Sequence, residues 1–501
     1  MENKMGMTKT KTEEWRGKAL SLEKLADIIR RDGISQRDWA FLDSSLKGRD
    51  GRYSILGLYP YLRAEERDGE LLVNGEKRSG DLLNFLKHYI EDNREQPENV
   101  LEQDRDGRGR DALKGKDLQS VGCAQGRNRE NEGPVMTGGA IGWMSYDYGR
   151  KRAGIAGHHE SSALSVDGGL PDGRFVFYDL YLVEDLQESR IWMCTQEKLA
   201  GISDYREKVR TWAEKDRKKD KVKDGNVVFS SDYDREAYEN TIRRVIEYMR
   251  AGDIYVMNMT RRITADHIGD PYQMFRYLRK HNPSPFGAFL SFGEYQIVCA
   301  SPERFLRVRN GVVETSPIKG TRKRGITEEE DQKLKQELAD SEKDKSELLM
   351  IVDLERNDLN RVCVPGSVKV PRMYYIESFA TVHHLISDVT GELRPECSAV
   401  DLLDAAFPGG SITGAPKYRA MEIIEEQENS ARGLYTGTIG YLGLDGNCDF
   451  NIVIRTAVCR NGSCTIGAGG GITVDSDPEF EYEETNQKAA ALIEAIRMTK
   501  E

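Results

Sequence analysis

Glu303 and Lys319 are the two residues whose types and spacing most directly indicate chemistry. Glu303 lies in Ser301-Pro302-Glu303-Arg304-Phe305, and Lys319 follows in Pro317-Ile318-Lys319-Gly320-Thr321. If a strand, a turn and a second strand bring them together, their carboxyl and amine can act as acid and nucleophile on one small molecule. A lysine is ordinarily a solvated surface charge, but small or apolar residues precede Lys319 and a Gly-Thr step follows it.

Four carboxylates form two pairs on predicted helices, Asp344 with Glu347 and Glu481 with Glu484. A separation of three residues places both members of a pair on one helix face, and Lys488 lies one turn beyond Glu484. Mg²⁺ binds one or two protein carboxylates and keeps positions for water and an anionic substrate. Since both helices are rich in acids, a solvated helix face is the alternative interpretation.

Two glycine-rich segments are candidate anion sites. In Gly467-Ala468-Gly469-Gly470-Gly471, exposed backbone N–H groups can hold a carboxylate, although a tight turn before the last helix explains the same residues. The segment 408–417, which contains Ser411, lacks the GK[ST] ending of a nucleotide-binding P-loop.

Two basic side chains stand in apolar surroundings. Arg455 falls in the apolar stretch 451–456, which predicts a strand. A charged side chain there needs a partner, and a ligand carboxylate that binds the guanidinium through both oxygens is one such partner. His384 lies in the otherwise apolar segment 380–386. The usual interpretation of such a histidine is a hydrogen-bonded core residue.

Composition limits the class of protein. The chain has 501 residues, is 38% apolar and 31% charged, and carries a net charge of −11, which argues against a nucleic-acid surface. No apolar run reaches the roughly 18 residues of a membrane helix, and residues 1–16 do not resemble a secretory signal. The eight cysteines form no CxxC pair. We therefore expect a cytoplasmic protein without nucleic-acid or membrane partners.

Two charged segments divide the chain. Residues 94–132 are dense in charged and polar residues, and we predict a disordered insertion there because such a segment cannot bury enough apolar surface. A second charge run at 213–225 predicts a boundary between an N-terminal β-rich part, 1–225, and a second part, 226–501.

The second part alternates helices and strands. Periodicity predicts helices at about 232–250 and 328–357, and the Asp477-Pro478 pair predicts the start of the last helix. Apolar runs predict strands at 254–263, 289–299 and 452–459, with a hairpin turn at Asn461-Gly462. Antiparallel strands with flanking helices predict an α+β fold rather than a doubly wound parallel sheet.

Seven motifs resemble those of the chorismate-utilising enzymes, a family that includes the large subunits of anthranilate synthase and aminodeoxychorismate synthase and the isochorismate and salicylate synthases. The motifs are SPERF, PIKGTRKRG, ELLMIVDLERNDL, FPGGSITGAPKYRAMEII, GLYTGTIGY, FNIVIRT and DPEFEYEET. The resemblance runs from about Tyr238 to the end and is looser before it. It implies large antiparallel sheets packed as a sandwich with helices outside, and a chorismate-binding catalytic core at 226–501.

The resemblance also implies roles for individual residues. Glu347 and Glu484 correspond to direct Mg²⁺ ligands, with Asp344, where glutamate is more usual, and Glu481 beside them. Glu303 corresponds to the general acid that protonates the leaving 4-hydroxyl of chorismate. The residues implied to bind substrate or line its pocket are Arg455, Tyr435, His384, Ser411, Gly469, Gly470, Gly471 and Lys488.

Lys319 discriminates among the branches of this family. PIKGT is typical of aminodeoxychorismate synthases, which make 4-amino-4-deoxychorismate for 4-aminobenzoate and folate synthesis, whereas anthranilate synthases usually carry alanine at this position. The resemblance thus implies that Lys319 attacks C2 of chorismate and that ammonia then adds at C4. Anthranilate synthase is the nearest alternative.

Two further alternatives are weaker. Val256 stands where water-adding members of the family carry a lysine, which disfavours an isochorismate-type isomerase. It also replaces the glutamine common in amine-adding members. A non-catalytic chorismate- or amino-acid-binding protein is disfavoured because Glu303, Lys319 and all four acids are present.

The source of ammonia is the last inference from the resemblance. The chain has no Gly-x-Cys-x-Gly segment of the kind that carries a glutaminase nucleophile. We therefore expect a separate glutamine amidotransferase subunit as partner.

Overall fold

A computed structural model describes residues 10–17, 20–31, 38–46, 48–94, 133–159, 170–215, 226–379 and 382–499. The predicted insertion lies outside the described residues from 95 onward, and so does most of the second charge run, 216–225. Disorder of the insertion and the division at residue 225 therefore stay predictions.

In the described ranges, 22 strands form one connected network in which every pairing is antiparallel. Strands of both halves interleave. The strands are β1 (Lys11–Glu14), β2 (Trp39–Asp43), β3 (Tyr53–Arg67), β4 (Glu70–Val73), β5 (Glu76–Arg78), β6 (Gly139–Met144), β7 (Gly173–Asp185), β8 (Arg190–Thr195), β9 (Val228–Ser231), β10 (Val256–Asp266), β11 (Phe286–Ser291), β12 (Gln296–Ser301), β13 (Arg304–Arg309), β14 (Val312–Thr315), β15 (Ile318–Lys323), β16 (Lys369–Ser378), β17 (Val382–Glu392), β18 (Gly414–Ala415), β19 (Thr438–Gly443), β20 (Cys448–Ile452), β21 (Thr456–Arg460) and β22 (Ser463–Ile472). For example, β2 pairs with β11, and β6 pairs with β19.

Helices accompany this network, and the predicted α+β class is confirmed. They are α1 (Leu22–Ile29), α2 (Leu82–Asp92), α3 (Tyr146–Arg152), α4 (Ile202–Glu214), α5 (Arg235–Ala251), α6 (Pro271–His281), α7 (Glu328–Asp340), α8 (Glu342–Asn360), α9 (Ala399–Ala406), α10 (Lys417–Gln427) and α11 (Pro478–Met498). None of the helices in the described part of the chain is long and apolar enough to cross a membrane.

The long helix predicted at 328–357 is wrong, because the chain forms two helices, α7 and α8, that meet at Ser341. Ser341 has φ −68° and ψ 103°, and its hydroxyl accepts a hydrogen bond from the Asp344 backbone N–H. A serine that satisfies a free N–H in this way starts a new helix. The break sets the direction of α8, the helix that carries Asp344 and Glu347.

Helix α5 is present, but its predicted start is corrected. Asp234 accepts the capping hydrogen bond, so the helix begins at Arg235 rather than near residue 232, and Gly252 ends the helix with φ 86°. Asp232 instead accepts hydrogen bonds from the Arg262 backbone N–H and the Ser430 hydroxyl.

Two predicted strands are also divided. The segment 289–299 spans β11 and β12, which reverse at Gly293, where φ is +73°. The segment 452–459 is interrupted between Ile452 and Thr456. The hairpin at Asn461-Gly462 is confirmed between β21 and β22, with φ values of 52° and 81°.

Three clusters of buried apolar side chains form the core. The largest lies beneath α5, α8, α9 and α10 and includes Tyr238, Leu348, Leu402 and Ile423. Burial of each such side chain contributes about 1.5–3 kcal/mol. This cluster supports the helices that surround the candidate site.

A buried ion pair, Arg432 with Glu428, joins three elements behind the candidate site. The two side chains are 1% and 4% exposed, and Arg432 donates to both carboxylate oxygens of Glu428 at 2.7 and 2.9 Å. The guanidinium also donates to the carbonyls of Ile412, at 2.8 Å, and Asn258, at 2.6 Å. Glu428 in turn accepts from the Thr260 backbone N–H at 2.9 Å.

We predict that Arg432→Met lowers the free energy of unfolding by about 3–5 kcal/mol, because it leaves the Glu428 carboxylate buried without a cation. Adding Glu428→Gln should restore part of the loss. Urea unfolding measures these changes. Arg419→Met is the matched control, since Arg419 is about one-third exposed in its ion pairs with Asp253 and Glu422 and should cost less than about 1 kcal/mol. A similarly small cost for Arg432→Met would contradict the role of the buried pair.

Candidate active site

The fold brings Glu303 and Lys319 together against one loop. Glu303 immediately precedes β13, and the β13–β14 hairpin leads into β15, which carries Lys319. The Lys319 Nζ donates to the Ser411 carbonyl at 3.4 Å, and the Ser411 side chain lies near enough to the Glu303 carboxyl to favour its charged form. Ser411 lies in a short 3₁₀ helix, Gly410–Ile412. The juxtaposition expected from sequence is therefore present.

Burial of Glu303 favours its protonated form. The residue is only 9% exposed. Burial raises the pKa of Glu303, and the positive charges of Lys319, Lys488 and Arg455 oppose this shift. A carboxyl with a raised pKa beside cationic groups can donate a proton to a leaving oxygen.

The lysine amine lies above a glycine of β22. A Cβ built on Gly471 would lie 3.6 Å from the Lys319 Nζ and 3.9 Å from Val256 Cγ2. Val256 is the first residue of β10 and is 4% exposed. The structure thus places Val256 in the same wall of the site as Lys319.

The glycines at 467–471 form part of β22, so the alternative of a tight turn is wrong. Gly469, Gly470 and Gly471 pair with Thr260, Met259 and Asn258 of β10. The pairing of β22 with β21 ends at Ile466. Beyond that point β22 is paired along its β10 side, and its other edge faces the site.

Gly470 is the point where the acids of α11 approach the sheet. A Cβ on Gly470 would lie 2.8 Å from Glu484 Oε2 and 3.1 Å from Glu481 Oε2. Lys488 bonds to the Gly469 carbonyl at 2.8 Å and pairs with Glu484 at 3.2 Å. Any side chain at position 470 would displace these carboxylates.

Glu481 has an oxygen without a partner. Ser476 donates to Oε1 at 2.7 Å, whereas Oε2 is buried and has no hydrogen-bond partner among the described residues. Burial raises the pKa of Glu481, and the charge of Glu484 adds to the rise while the Ser476 hydroxyl opposes it. A cation near Gly470 would satisfy this oxygen.

The second acid pair lies on α8. Asp344 accepts from Arg322 Nη2 at 3.2 Å, and Glu347 lies 4.0 Å from Lys343. Burial raises the pKa of Glu347, while Lys319 lowers it and the charges of Asp344 and Glu484 raise it further. Gly320, with φ 78°, leaves room for the Asp344 side chain.

The donor set fits a divalent cation that prefers oxygen ligands. It consists of carboxylates on two helices, an unpartnered buried oxygen at Glu481 and a glycine at position 470 that leaves the space open. Among the described residues, no group of three or more Asp, Glu, His or Cys side chains is by itself placed to hold a metal ion. Mg²⁺ needs only one or two protein carboxylates and takes its other ligands from water and substrate.

His384 is present in the site as a neutral group. Its Nδ1 lies 2.9 Å from the Thr321 hydroxyl, and its ring packs edge-on against Phe379. Burial, together with the charge of Arg455, lowers the pKa of His384 to about 4. The preceding residues 380 and 381 of its predicted segment lie outside the described residues.

Arg455 is not in a strand, contrary to expectation. It lies at a bend between β20 and β21 with φ 49°, and its carbonyl accepts from the Ala300 N–H. Burial lowers the pKa of Arg455, and Glu303 opposes this shift. In the part of the chain that the structure describes, no hydrogen bond or ion pair occupies its guanidinium, which remains available to an anionic ligand.

Tyr435 packs its ring on β22. A Cβ on Gly467 would lie 2.1 Å from the ring, so only glycine fits at that position. Burial raises the pKa of the Tyr435 hydroxyl, which therefore stays a neutral donor.

Two residues of the site were given no role from the sequence. Thr321 bonds to His384, and Arg322 donates to Asp344. Both follow directly after Gly320, so their place beside Lys319 in the sequence was the available signal.

Comparison with known proteins identifies the family of this chain. Residues 78–494 match the family of chorismate binding enzymes. The chain is 35% identical over 502 residues to aminodeoxychorismate synthase component 1 of Bacillus subtilis (strain 168), covering 97% of each. It is also 35% identical over 476 residues to anthranilate synthase component 1 of Acetivibrio thermocellus, covering 91% of this chain and 90% of that one.

A solved structure gives the same family. Anthranilate synthase component I from Streptococcus pneumoniae TIGR4 superposes with a TM-score of 0.73 at 30% identity, covering 89% of this chain and 93% of that one. The resemblance drawn from the motifs is confirmed, and the chain belongs to the chorismate-binding enzyme family.

Proposed function

We propose that this enzyme is an aminodeoxychorismate synthase component 1, which converts chorismate and ammonia to 4-amino-4-deoxychorismate. The observation that carries the proposal is the Lys319 amine, which lies over Gly471 and within 3.4 Å of the Ser411 carbonyl. The Ser411 side chain also acts on Glu303, whose charged form it favours. An amine and an acid beside one loop can act on two carbons of one ring.

Glu303 and Lys319 divide the chemistry between them. Lys319 first gives a proton to solvent. Glu303 then donates its proton to the 4-hydroxyl, the C4–O bond breaks to release water, and the Lys319 amine forms a bond to C2 as the ring double bonds shift. Ammonia then forms a bond to C4, the double bonds shift back, and the C2–N bond to Lys319 breaks. The proton carried in by ammonia replaces the one that left with water.

The other site residues hold the substrate. Arg455 and Tyr435 are suited to the enolpyruvyl carboxylate, since one carries an unoccupied guanidinium and the other a neutral hydroxyl. His384 is neutral and offers a hydrogen bond without a charge. Mg²⁺ held by Glu347 and Glu484, with Asp344 and Glu481 beside them, would bind the ring carboxylate and offset its negative charge.

Ammonia is proposed to come from a separate glutamine amidotransferase subunit. The sequence has no glutaminase nucleophile motif, and the relatives above carry the name component 1. Anthranilate synthase component 1 is the second candidate, since a relative with that name is equally identical. Lys319 favours amination at C4, because its side chain occupies the space beside Gly471 that ammonia would need for C2.

Lys319→Ala should reduce aminodeoxychorismate formation by about 10³-fold or more, since it removes the nucleophile. A trace of C2-aminated product or anthranilate is expected from the emptied space. Lys323→Ala, at the exposed end of the same strand, is the control and should retain activity. Product mass and fluorescence measure the outcome.

In the wild type, incubation with chorismate but no ammonia should leave a mass adduct on the peptide that contains Lys319. Full activity in Lys319→Ala, without an adduct in the wild type, would falsify the nucleophile role. Anthranilate synthase would then be the better proposal.

Glu347→Gln and Glu484→Gln should each abolish measurable turnover while the fold persists, because each removes a ligand charge without changing side-chain shape. Turnover across a Mg²⁺ titration and circular dichroism measure the two effects. Glu494→Gln on the outer part of α11, where Glu494 bonds to Tyr277, is the matched control. Near-normal turnover of either ligand variant at low Mg²⁺ would overturn the ligand assignment.

With the purified chain alone, ammonium should support turnover that rises with pH as free NH₃ becomes abundant, and glutamine should not. Adding the glutaminase subunit of a related enzyme pair should make glutamine effective. Turnover of glutamine by the chain alone would show that the ammonia source lies within it, contrary to the proposal.

A further inference from the structure

Ser378, His383 and Asp331 form a hydrogen-bonded chain outside the site described above. The Ser378 hydroxyl lies 2.8 Å from His383 Nδ1, and His383 Nε2 lies 3.1 Å from Asp331 Oδ1. The His383 and Asp331 side chains are 1% and 8% exposed, whereas Ser378 is exposed. The three groups have the order of a Ser-His-Asp triad, with the two ring nitrogens exchanged relative to the serine proteases.

The β16–β17 hairpin positions the serine and the histidine. Ser378 and His383 lie directly opposite each other in the antiparallel register. β17 also pairs with β15 on its other side, so the His383 backbone is held from both sides. Successive side chains of a strand point to opposite faces of the sheet. His384, which bonds to Thr321 in the candidate active site, therefore points away from the face that carries His383.

Asp331 is held as a carboxylate. Arg324 donates to both of its oxygens, at 2.7 and 2.8 Å, and the Gly325 backbone N–H donates to Oδ1 at 2.8 Å. The hydrogen bonds from Arg324 above all hold the pKa of Asp331 well below its usual range, although burial opposes this shift. A carboxylate only accepts hydrogen bonds, so the donor to it is His383 Nε2. In a neutral ring Nδ1 is then the acceptor, and the Ser378 hydroxyl donates to it.

This chain has the parts of an activated serine nucleophile. A base within hydrogen-bond reach can take the hydroxyl proton as the oxygen attacks, and the carboxylate orients the ring and stabilises the imidazolium that forms. Arg324 Nη1 donates to the carbonyl of Phe379 at 2.8 Å, so a guanidinium lies beside the residue that follows Ser378. Its positive charge favours the negative charge that develops on a carbonyl oxygen under attack there. The alternative is a hydrogen bond that only closes the hairpin, which would leave the hydroxyl unreactive.

We propose that Ser378 is a nucleophile that accepts an acyl group from activated esters of small carboxylic acids. The Ser378 oxygen forms a bond to the ester carbonyl carbon, and its proton passes to His383 Nδ1. The bond from that carbon to the leaving oxygen then breaks, and the same proton passes to the leaving oxygen. Ser378 is left as an ester, and the released alcohol carries the proton. This role is independent of the function proposed above, because neither Lys319 nor Glu303 takes part.

The test is acetylation by p-nitrophenyl acetate, followed residue by residue with tandem mass spectrometry. The peptide 373–394 should gain an acetyl group at Ser378 at least about 100-fold faster than Ser203, an exposed serine of α4, gains one. In urea-unfolded protein the two serines should react at the same slow rate, because the hairpin no longer holds His383 beside Ser378. Equal rates in the folded protein would overturn the proposal.

His383→Gln removes the base and keeps a polar side chain. Acetylation of Ser378 should fall by about 100-fold or more, which is what a positioned general base typically contributes. Circular dichroism checks that the variant is folded. An unchanged rate in the folded variant would show that His383 does not activate the serine, contrary to the proposal.

Ser378→Cys gives a second measurement with the histidine in place. A thiol beside an imidazole that is paired with a carboxylate loses its proton at lower pH, so alkylation of the introduced thiol by iodoacetamide should have its midpoint below about pH 7.5. Adding His383→Gln should return the midpoint to about 8.5, the value of a free thiol. A hydrogen bond that only closes the hairpin would not move this midpoint. A value near 8.5 with His383 present would therefore overturn the proposal.

Discussion

The buried ion pair between Arg432 and Glu428 is the interaction on which the geometry of the site most depends. Its hydrogen bonds reach the Ile412 carbonyl, next to Ser411, and the Asn258 carbonyl and Thr260 N–H of β10. β10 in turn pairs with the glycines of β22. One guanidinium therefore fixes the loop that contacts Glu303 and Lys319 relative to the strand beneath the amine. Burying such a pair costs free energy, and the buried pair holds three elements in a defined arrangement.

The site concentrates like and unlike charges that only partly neutralise each other. Burial raises the pKa of Glu303, Glu347 and Glu481, whereas it lowers the pKa of Arg455 and His384. Every one of these shifts disfavours charge, so a ligand of opposite charge would stabilise the charged form of each group. The proposed substrate, a dianion, and the proposed Mg²⁺ would supply charges of both signs.

Local signals in the sequence predicted much of this arrangement. Asp477-Pro478 gave the start of α11, and the three-residue spacing of the acids placed each pair on one helix face, because capping and helical periodicity are local properties. The break at Ser341, the strand conformation of Gly467–Gly471 and the bend at Arg455 were missed. The strand conformation of Gly467–Gly471 depends on pairing with the distant β10, and the bend at Arg455 depends on a positive φ at a non-glycine residue. The break at Ser341 is a local serine cap within a segment that was predicted as one continuous helix.

The space that the Lys319 side chain fills offers a steric reason why one lysine can decide which product forms in the proposed reaction. The space over Gly471 is bounded by the Lys319 amine on one side and Val256 on the other. In the proposed reaction this space faces C2 of the ring, so a tethered amine there excludes free ammonia from the same carbon. Valine has no group that could activate a water in its place. In that reaction ammonia reaches only C4. The choice of product then follows from the amine that occupies the space over Gly471, and not from recognition of ammonia itself.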